Sequence, residues 1–273
     1  MNHLQTAPLF LLGMPRSGTT WLSQILESSP HCVVRLSPNY SHALKNRLTT
    51  SSTAADWAAV VEETVATHDE FMTQNWRRKS GELPLFPSKS VHDLKRLVLK
   101  DTRFHDLYLE GMTVFPAART VYIVRHPAAA LWSWRSCKEF PEGADFRREW
   151  RTGECRKREG PSEYWGFDDW KSLTQLYCEL ASRHPHRYLI VRYENFVSQA
   201  LREAEQLFQF AEVPMSPAIE EFVRYSQSLH DERPYAVFKR PTVRDAWKRD
   251  FPADILAEIE RDLAGTPLEA FLR

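Results

Sequence analysis

With 273 residues, the chain is long enough for one sizeable α/β domain with a real core and short for two, so a single domain over 1–273 is expected. Its 36 lysines and arginines balance 36 aspartates and glutamates, which argues against a nucleic-acid footprint spread over the surface but leaves room for a local basic pocket. Cys32, Cys137, Cys155 and Cys178 show neither paired spacing nor a metal-ligand pattern, and the apolar run at 8–14 is too short to span a membrane and lacks the basic flank of a signal peptide; a soluble, cytoplasmic protein with reduced thiols, bound to neither membrane nor nucleic acid, is expected.

In chain order, short apolar runs at 9–12, 32–34, 96–99, 120–124 and 188–191 have strand length. They are continuous rather than alternating, as strands covered on both faces should be. Helical stripes lie between and after them: Trp21, Leu22, Ile25 and Leu26; Leu173, Leu176, Tyr177 and Leu180; and Ile255, Leu256, Ile259 and Leu263. Residues 54–80 read as one long helix whose Trp57, Val60, Val61, Val65, Phe71 and Met72 belong to the core. Residues 137–168, dense in mixed charge with Trp150, Tyr164 and Trp165, read as a solvated or partly disordered loop in preference to the alternative, an ordered substrate lid. Residues 227–250 are polar and carry Pro234 and Pro241. Strands alternating with helices imply a central parallel sheet flanked by helices on both faces, of the P-loop nucleotide-binding type.

The stretch LFLLGMPRSGTTWL (9–22) begins as a phosphate loop and then departs from it. The nucleoside-triphosphate loop reads G-x-x-x-x-G-K-[ST]. Gly13 and Gly18 hold the glycine positions and Thr20 the hydroxyl position, but Thr19 replaces the lysine and the cation sits earlier, at Arg16. A strand before and an amphipathic helix after suit an anion loop, in which backbone N–H groups and the helix N-terminus point at the ligand. Each hydrogen bond to a charged group contributes roughly 1.5–3 kcal/mol, so a handful holds a phosphate or a sulfate.

A triphosphatase would also need Mg²⁺, held by an Asp at the end of a second strand. The run at 120–124 ends instead in Arg125, within Val-Tyr-Ile-Val-Arg-His-Pro, which points to a second anion rather than a metal. Pro127 suits the first turn of the following helix, and Ser133 lies two turns in, able to approach the same anion.

Two anion sites without a metal describe a ligand with two separated anionic groups. Pro15-Arg16-Ser17-Gly18-Thr19-Thr20-Trp21 resembles the 5′-phosphosulfate loop of the sulfotransferases that use 3′-phosphoadenosine 5′-phosphosulfate (PAPS), and 125–133 resembles their 3′-phosphate motif. Residues 191–196 resemble a later segment of that family, and Phe238-Lys239-Arg240 with Trp247-Lys248 its C-terminal 3′-phosphate loop, so the resemblance covers most of the chain. It implies PAPS as sulfonate donor, with Arg16, Ser17, Gly18, Thr19 and Thr20 around the 5′ group and Arg125, Ser133 and Arg240 on the 3′-phosphate. It also implies Tyr193 near the adenine, while Trp21 either stacks on the adenine or belongs to the helix core. The family's C-terminal loop continues Arg-Lys-Gly, whereas Pro241 and Thr242 follow Arg240 here.

By the same resemblance Arg16 and Lys100 are the cations that stabilise charge on the departing phosphate, and Ser133 gates the donor. The base that takes the acceptor's proton is the departure from pattern. Thr102 stands where cytosolic members have His, and the stretch ending at Ser37 has no carboxylate where tyrosyl-protein members have Glu. His105 is the expected base, with Asp101 and His42 as the other candidates. A P-loop kinase or nucleotidase, and a non-catalytic nucleotide-binding protein of the same fold, are the rival readings. The acceptor is expected to be a small molecule, a glycan or a peptide, and no feature bears on oligomeric state.

Overall fold

A computed structural model describes residues 7–157, 162–228 and 245–273. Strand β1 (Leu9–Gly13) leads into α1 (Thr19–Glu27), and β2 (Cys32–Leu36) is followed by α2 (Ala54–Ala66), α3 (Glu70–Thr73) and α4 (Asn75–Lys79). Then come β3 (Arg96–Asp101), α5 (His105–Val114), β4 (Arg119–Val124), α6 (Pro127–Arg135), α7 (Phe146–Glu149), α8 (Glu154–Lys157) and α9 (Gly166–Arg183). Strand β5 (Tyr188–Arg192) runs directly into α10 (Tyr193–Ser198), followed by α11 (Ala200–Phe210), α12 (Pro217–Ser228), α13 (Trp247–Asp250) and α14 (Ala253–Leu263).

The five strands form one parallel sheet in the order β2-β3-β1-β4-β5. Its register aligns the carboxyl ends: Leu11 lies opposite Lys100, Gly13 opposite Ile123, and Val124 opposite Arg192. The loop after central β1 therefore opens between the ends of β3 and β4, the crevice where sheets of this kind bind ligands. Every residue of β1 is buried because both faces are covered. Phe10 and Leu12 pack into the layer of Trp57, Tyr108, Trp134 and Tyr177, while Leu9 and Leu11 face Leu22, Ile25, Phe196, Leu207 and Phe208. Each such side chain contributes about 1.5–3 kcal/mol on full burial.

Two expectations fail here. Residues 54–80 form three helices, not one. Thr53 opens α2 with a reciprocal capping box to Asp56, but Asp69 caps a new helix by accepting the Met72 N–H at 2.8 Å. Gln74 then takes a left-handed φ of 56° between α3 and α4. Local hydrogen bonding to the backbone outweighs the continuing apolar period. The described part of 137–168 is packed rather than solvated. Phe146, Trp150 and Trp165 are buried in the same core layer as Trp134 and Trp170, so the aromatics outweigh the charge that surrounds them.

Candidate donor-binding site

The loop after β1 turns tightly because its glycines permit it. A Cβ on Gly13 would come within 2.8 Å of Ile123, and one on Gly18, at φ 98°, within 2.6 Å of the Tyr193 ring. Arg16 itself adopts a left-handed φ of 69°, a conformation that costs energy in a non-glycine residue and persists where the surroundings impose it. The Ser17 N–H donates to the Met14 carbonyl at 3.2 Å and closes the turn. Helix α1 starts at Thr19 with no side-chain cap, so its first N–H groups face the loop.

Side chains from β3, β4 and α6 meet this loop. Arg16 Nε donates to Ser133 Oγ at 3.1 Å, and Arg125 Nη1 donates to the Arg16 carbonyl at 3.1 Å. Lys100 Nζ donates to Thr20 Oγ1 at 2.8 Å. The Arg125 guanidinium lies 4.7 Å from the Tyr193 ring centroid, a cation–π contact that also seats the ring beside Gly18. Two strand ends distant in sequence thus bring Arg16, Lys100 and Arg125 to one loop, with Thr20 and Ser133 as their hydroxyl partners.

The electrostatics call for an anion. Lys100 is buried, and burial lowers its pKa to about 7; the Arg77 and then the Arg16 charge push the same way, against Asp101. Ser17 Oγ and Arg125 Nε are buried with no hydrogen-bond partner among the described residues. Unpartnered buried donors are costly unless a ligand satisfies them. Clustered cations, two orphaned donors and an open helix N-terminus together suit the phosphate groups and sulfonate of the expected donor.

Beside the loop lies a cleft of about 340 Å³ bordered by Arg125, His126, Tyr193, Glu194, Trp247 and Lys248. Glu194 Oε1 accepts the His126 backbone N–H at 2.9 Å and so holds the turn that presents Arg125. The His126 ring caps α6 by accepting the Ala128 N–H at 3.2 Å and lies 4.4 Å from the Trp247 ring. Burial and then the Arg125 charge lower its pKa to about 4, so it stays neutral. Sequence reasoning missed Glu194, although it follows Tyr193 within a segment already singled out.

Both expected bases are misplaced. His105 is fully buried, with Nδ1 3.1 Å from the Tyr177 hydroxyl and the rings of Tyr122, Tyr164 and Tyr177 around it. Burial lowers its pKa to about 3, so it is a neutral core group out of reach of an acceptor. Asp101 is also fully buried. Its Oδ1 accepts the backbone N–H groups of Thr102 at 2.8 Å and Arg103 at 2.9 Å, and its Oδ2 accepts the Tyr108 hydroxyl at 3.1 Å. That carboxylate fastens the end of β3, and its lone pairs are committed. His42 is exposed. Trp21 follows the helix-core alternative: it is 6% exposed, donates to Ser226 Oγ at 3.1 Å, and packs edge-on against Phe196 and Tyr193. Arg240 lies outside the described residues.

No helix among the described residues is long and apolar enough to cross a membrane. Human carbohydrate sulfotransferase 3 is 26% identical over 215 residues, which cover 71% of this chain and 42% of that protein. The chain thus spans less than half the length of the curated relatives it matches. The structure of mouse sulfotransferase SULT7A1 complexed with PAP has a similar fold, with a TM-score of 0.57, 15% identity, and coverage of 98% of this chain and 89% of that one. The sulfotransferase domain from the curacin biosynthetic pathway is also similar, with a TM-score of 0.53, 16% identity, and coverage of 96% and 99%. The sequence model of the Sulfotransferase family matches residues 8–217, well over half the chain, and with the P-loop-like fold this shows that the chain belongs to that family.

Proposed function

We propose that this protein is a PAPS-dependent sulfotransferase acting on a hydroxyl or amine of a glycan. The observation that carries the reading is the convergence of Arg16, Lys100 and Arg125 on one glycine loop, with Ser17 Oγ and Arg125 Nε lacking partners among the described residues. Membership of the family supports the reaction class, and the relatives named as carbohydrate sulfotransferases support the acceptor class. The four cysteines, none of them in a disulfide, suit a reducing compartment, in keeping with a cytoplasmic location.

When bound, PAPS supplies a sulfonate already activated by its bond to phosphate. Around its 5′ side, the N–H groups of Gly18, Thr19 and Thr20 are the donors, with Arg16 and the Ser17 hydroxyl beside them. Arg125 and Ser133, with Arg240 by resemblance, hold the 3′-phosphate, and Tyr193 borders the adenine. Lys100 and Arg16 place positive charge where the departing phosphate gains negative charge, so they stabilise the transition state more than the ground state. The Lys100–Thr20 and Arg16–Ser133 hydrogen bonds hold these cations in place beforehand. With His105 and Asp101 in the core, the roles assigned to this chain are donor binding and charge stabilisation.

Isothermal titration with adenosine 3′,5′-bisphosphate, with and without Mg²⁺, tests the reading. Binding without the metal that Arg16→Ala weakens by tenfold or more is expected. Binding only of ATP with Mg²⁺ would replace the reading with a kinase, and bisphosphate binding without turnover on any glycan, small-molecule or peptide acceptor would replace it with a non-catalytic protein.

A further inference from the structure

We infer that the chain carries a second anion-binding site, at the opposite end of the sheet from the donor loop, which takes a segment of an anionic glycan through its carboxylate or sulfate groups. A cavity of about 510 Å³ opens there, larger than the cleft beside the donor loop. Its cations come from the amino ends of the strands. Arg96 begins β3 with Lys95 just before it, Arg119 begins β4, and His186 and Arg187 directly precede β5. Because all five strands are parallel, these residues gather at one pole while the donor loop lies at the other. Arg119 and Arg125 are six positions apart along β4, which separates the two sites by about 20 Å.

Among the described lining residues, Lys95, Arg96, Arg119 and Arg187 face a single carboxylate, that of Glu212. Glu212 follows α11 at a left-handed φ of 54° and bridges two of them: Arg96 Nη2 donates to its Oε2 at 2.6 Å, and Arg119 Nη2 donates to its Oε1. Two guanidinium groups are thus already aligned to share one planar anionic group. Their other hydrogen bonds, and those of Arg187, run to backbone carbonyls: Arg96 Nε to Ala211 at 2.6 Å, Arg119 Nη1 to Phe210 at 2.6 Å, and Arg187 Nη2 to Phe115 at 3.0 Å. A carbonyl orients a guanidinium without neutralising it, so positive charge stays in excess. Lys95 is exposed, and its ammonium has no partner among the described residues. The cavity lies within the range of about 300–1,000 Å³ common to small-ligand sites and is larger than one oxyanion fills. No Phe, Tyr or Trp borders it among the described residues, so it lacks the stacking platform that single-stranded nucleic acids use. Sugar rings that carry carboxylates or sulfates bring several charges at short spacing and need no such platform. The choice of a glycan rests on the acceptor class proposed above; the anion site itself does not.

The test is calorimetric titration of the full chain, at low salt, with a sulfated, uronate-containing tetrasaccharide and with its desulfated, carboxyl-reduced counterpart. Wild type is expected to bind the charged probe about tenfold or more tightly than the neutral one. Lys95→Glu, at an exposed side chain that supports no other contact among the described residues, should weaken that binding about tenfold. Glu212→Gln, which removes the competing carboxylate and keeps every cation, should strengthen it about three- to tenfold. A purely structural Arg96–Glu212–Arg119 clasp predicts no such gain. Both variants should bind adenosine 3′,5′-bisphosphate as wild type does. Equal binding of the two probes, no binding of either, or binding that neither variant changes overturns the proposal. So does a variant that alters bisphosphate affinity to the same extent, which would place the tetrasaccharide at the donor end. Tighter binding of an oligoglutamate or a single-stranded oligonucleotide of equal charge would replace the glycan with that partner. Failure of wild type to bind the bisphosphate would refute the sulfotransferase reading, whereas the response of the two variants to the tetrasaccharide decides this one.

Discussion

Replacing Lys100 with methionine is expected to stabilise the protein while abolishing transfer. An unfolded chain keeps the Lys100 proton up to its ordinary value of 10.5, whereas the folded protein releases it at about 7, chiefly because burial disfavours the ammonium. Between those values the unfolded state binds more protons, so stability rises with pH; below pH 7 the full penalty applies. At roughly 1.4 kcal/mol per pH unit, that penalty is about 5 kcal/mol. Methionine is apolar and of similar length, so it removes the penalty and forfeits the hydrogen bond to Thr20, worth about 1.5 kcal/mol. Without nucleotide, Lys100→Met should exceed wild type by roughly 3 kcal/mol at pH 6, with the advantage gone near pH 9.5. Urea unfolding at pH 6, 8 and 9.5 measures it, with sulfonate transfer expected to fall at least a hundredfold. A variant less stable than wild type at pH 6, or an advantage that does not change with pH, would refute the reasoning.

The same lysine should couple donor binding to proton uptake, because the bound anions hold Lys100 protonated. The Kd for adenosine 3′,5′-bisphosphate should rise about tenfold per pH unit between 7.5 and 9.5, and a flat profile in titration calorimetry counts against it. Gly18→Ala would force a Cβ against Tyr193 at a left-handed φ; a loss of about 1–3 kcal/mol in thermal unfolding and at least tenfold weaker bisphosphate binding are expected. Glu194→Gln should weaken bisphosphate binding about three- to tenfold by loosening the His126 turn behind Arg125, measured by the same titration. Folded His105 refuses a proton until about pH 3, so stability falls as pH drops below 6.5; His105→Phe should flatten that acid limb in chemical unfolding between pH 6.5 and 4 and still turn over acceptor, whereas a catalytic His105 would make it inactive.

The amino-acid sequence alone determined the parallel α/β fold and the form of the glycine loop after β1. Strands buried on both faces are written as continuous apolar runs, and an anion loop must write its glycines, hydroxyls and cation within a few neighbouring residues, as 13–20 do. Arg125 and Ser133 were legible for the same reason, since a strand end and the helix after it lie close in the chain. Only the tertiary structure decided which titratable groups face the ligand. Lys100 and Asp101 are consecutive, yet one hydrogen-bonds Thr20 of the loop while the other is consumed by backbone N–H groups and Tyr108. His105 looks available in the sequence and is enclosed by three tyrosines brought from β4, α9 and the residues before it. Arg77 carries no local signature, and that its charge acts on Lys100 follows from the packing of helices that the apolar period alone would have fused into one. Burial and charge proximity are sums over chain segments far apart in sequence, and only their packing fixes them.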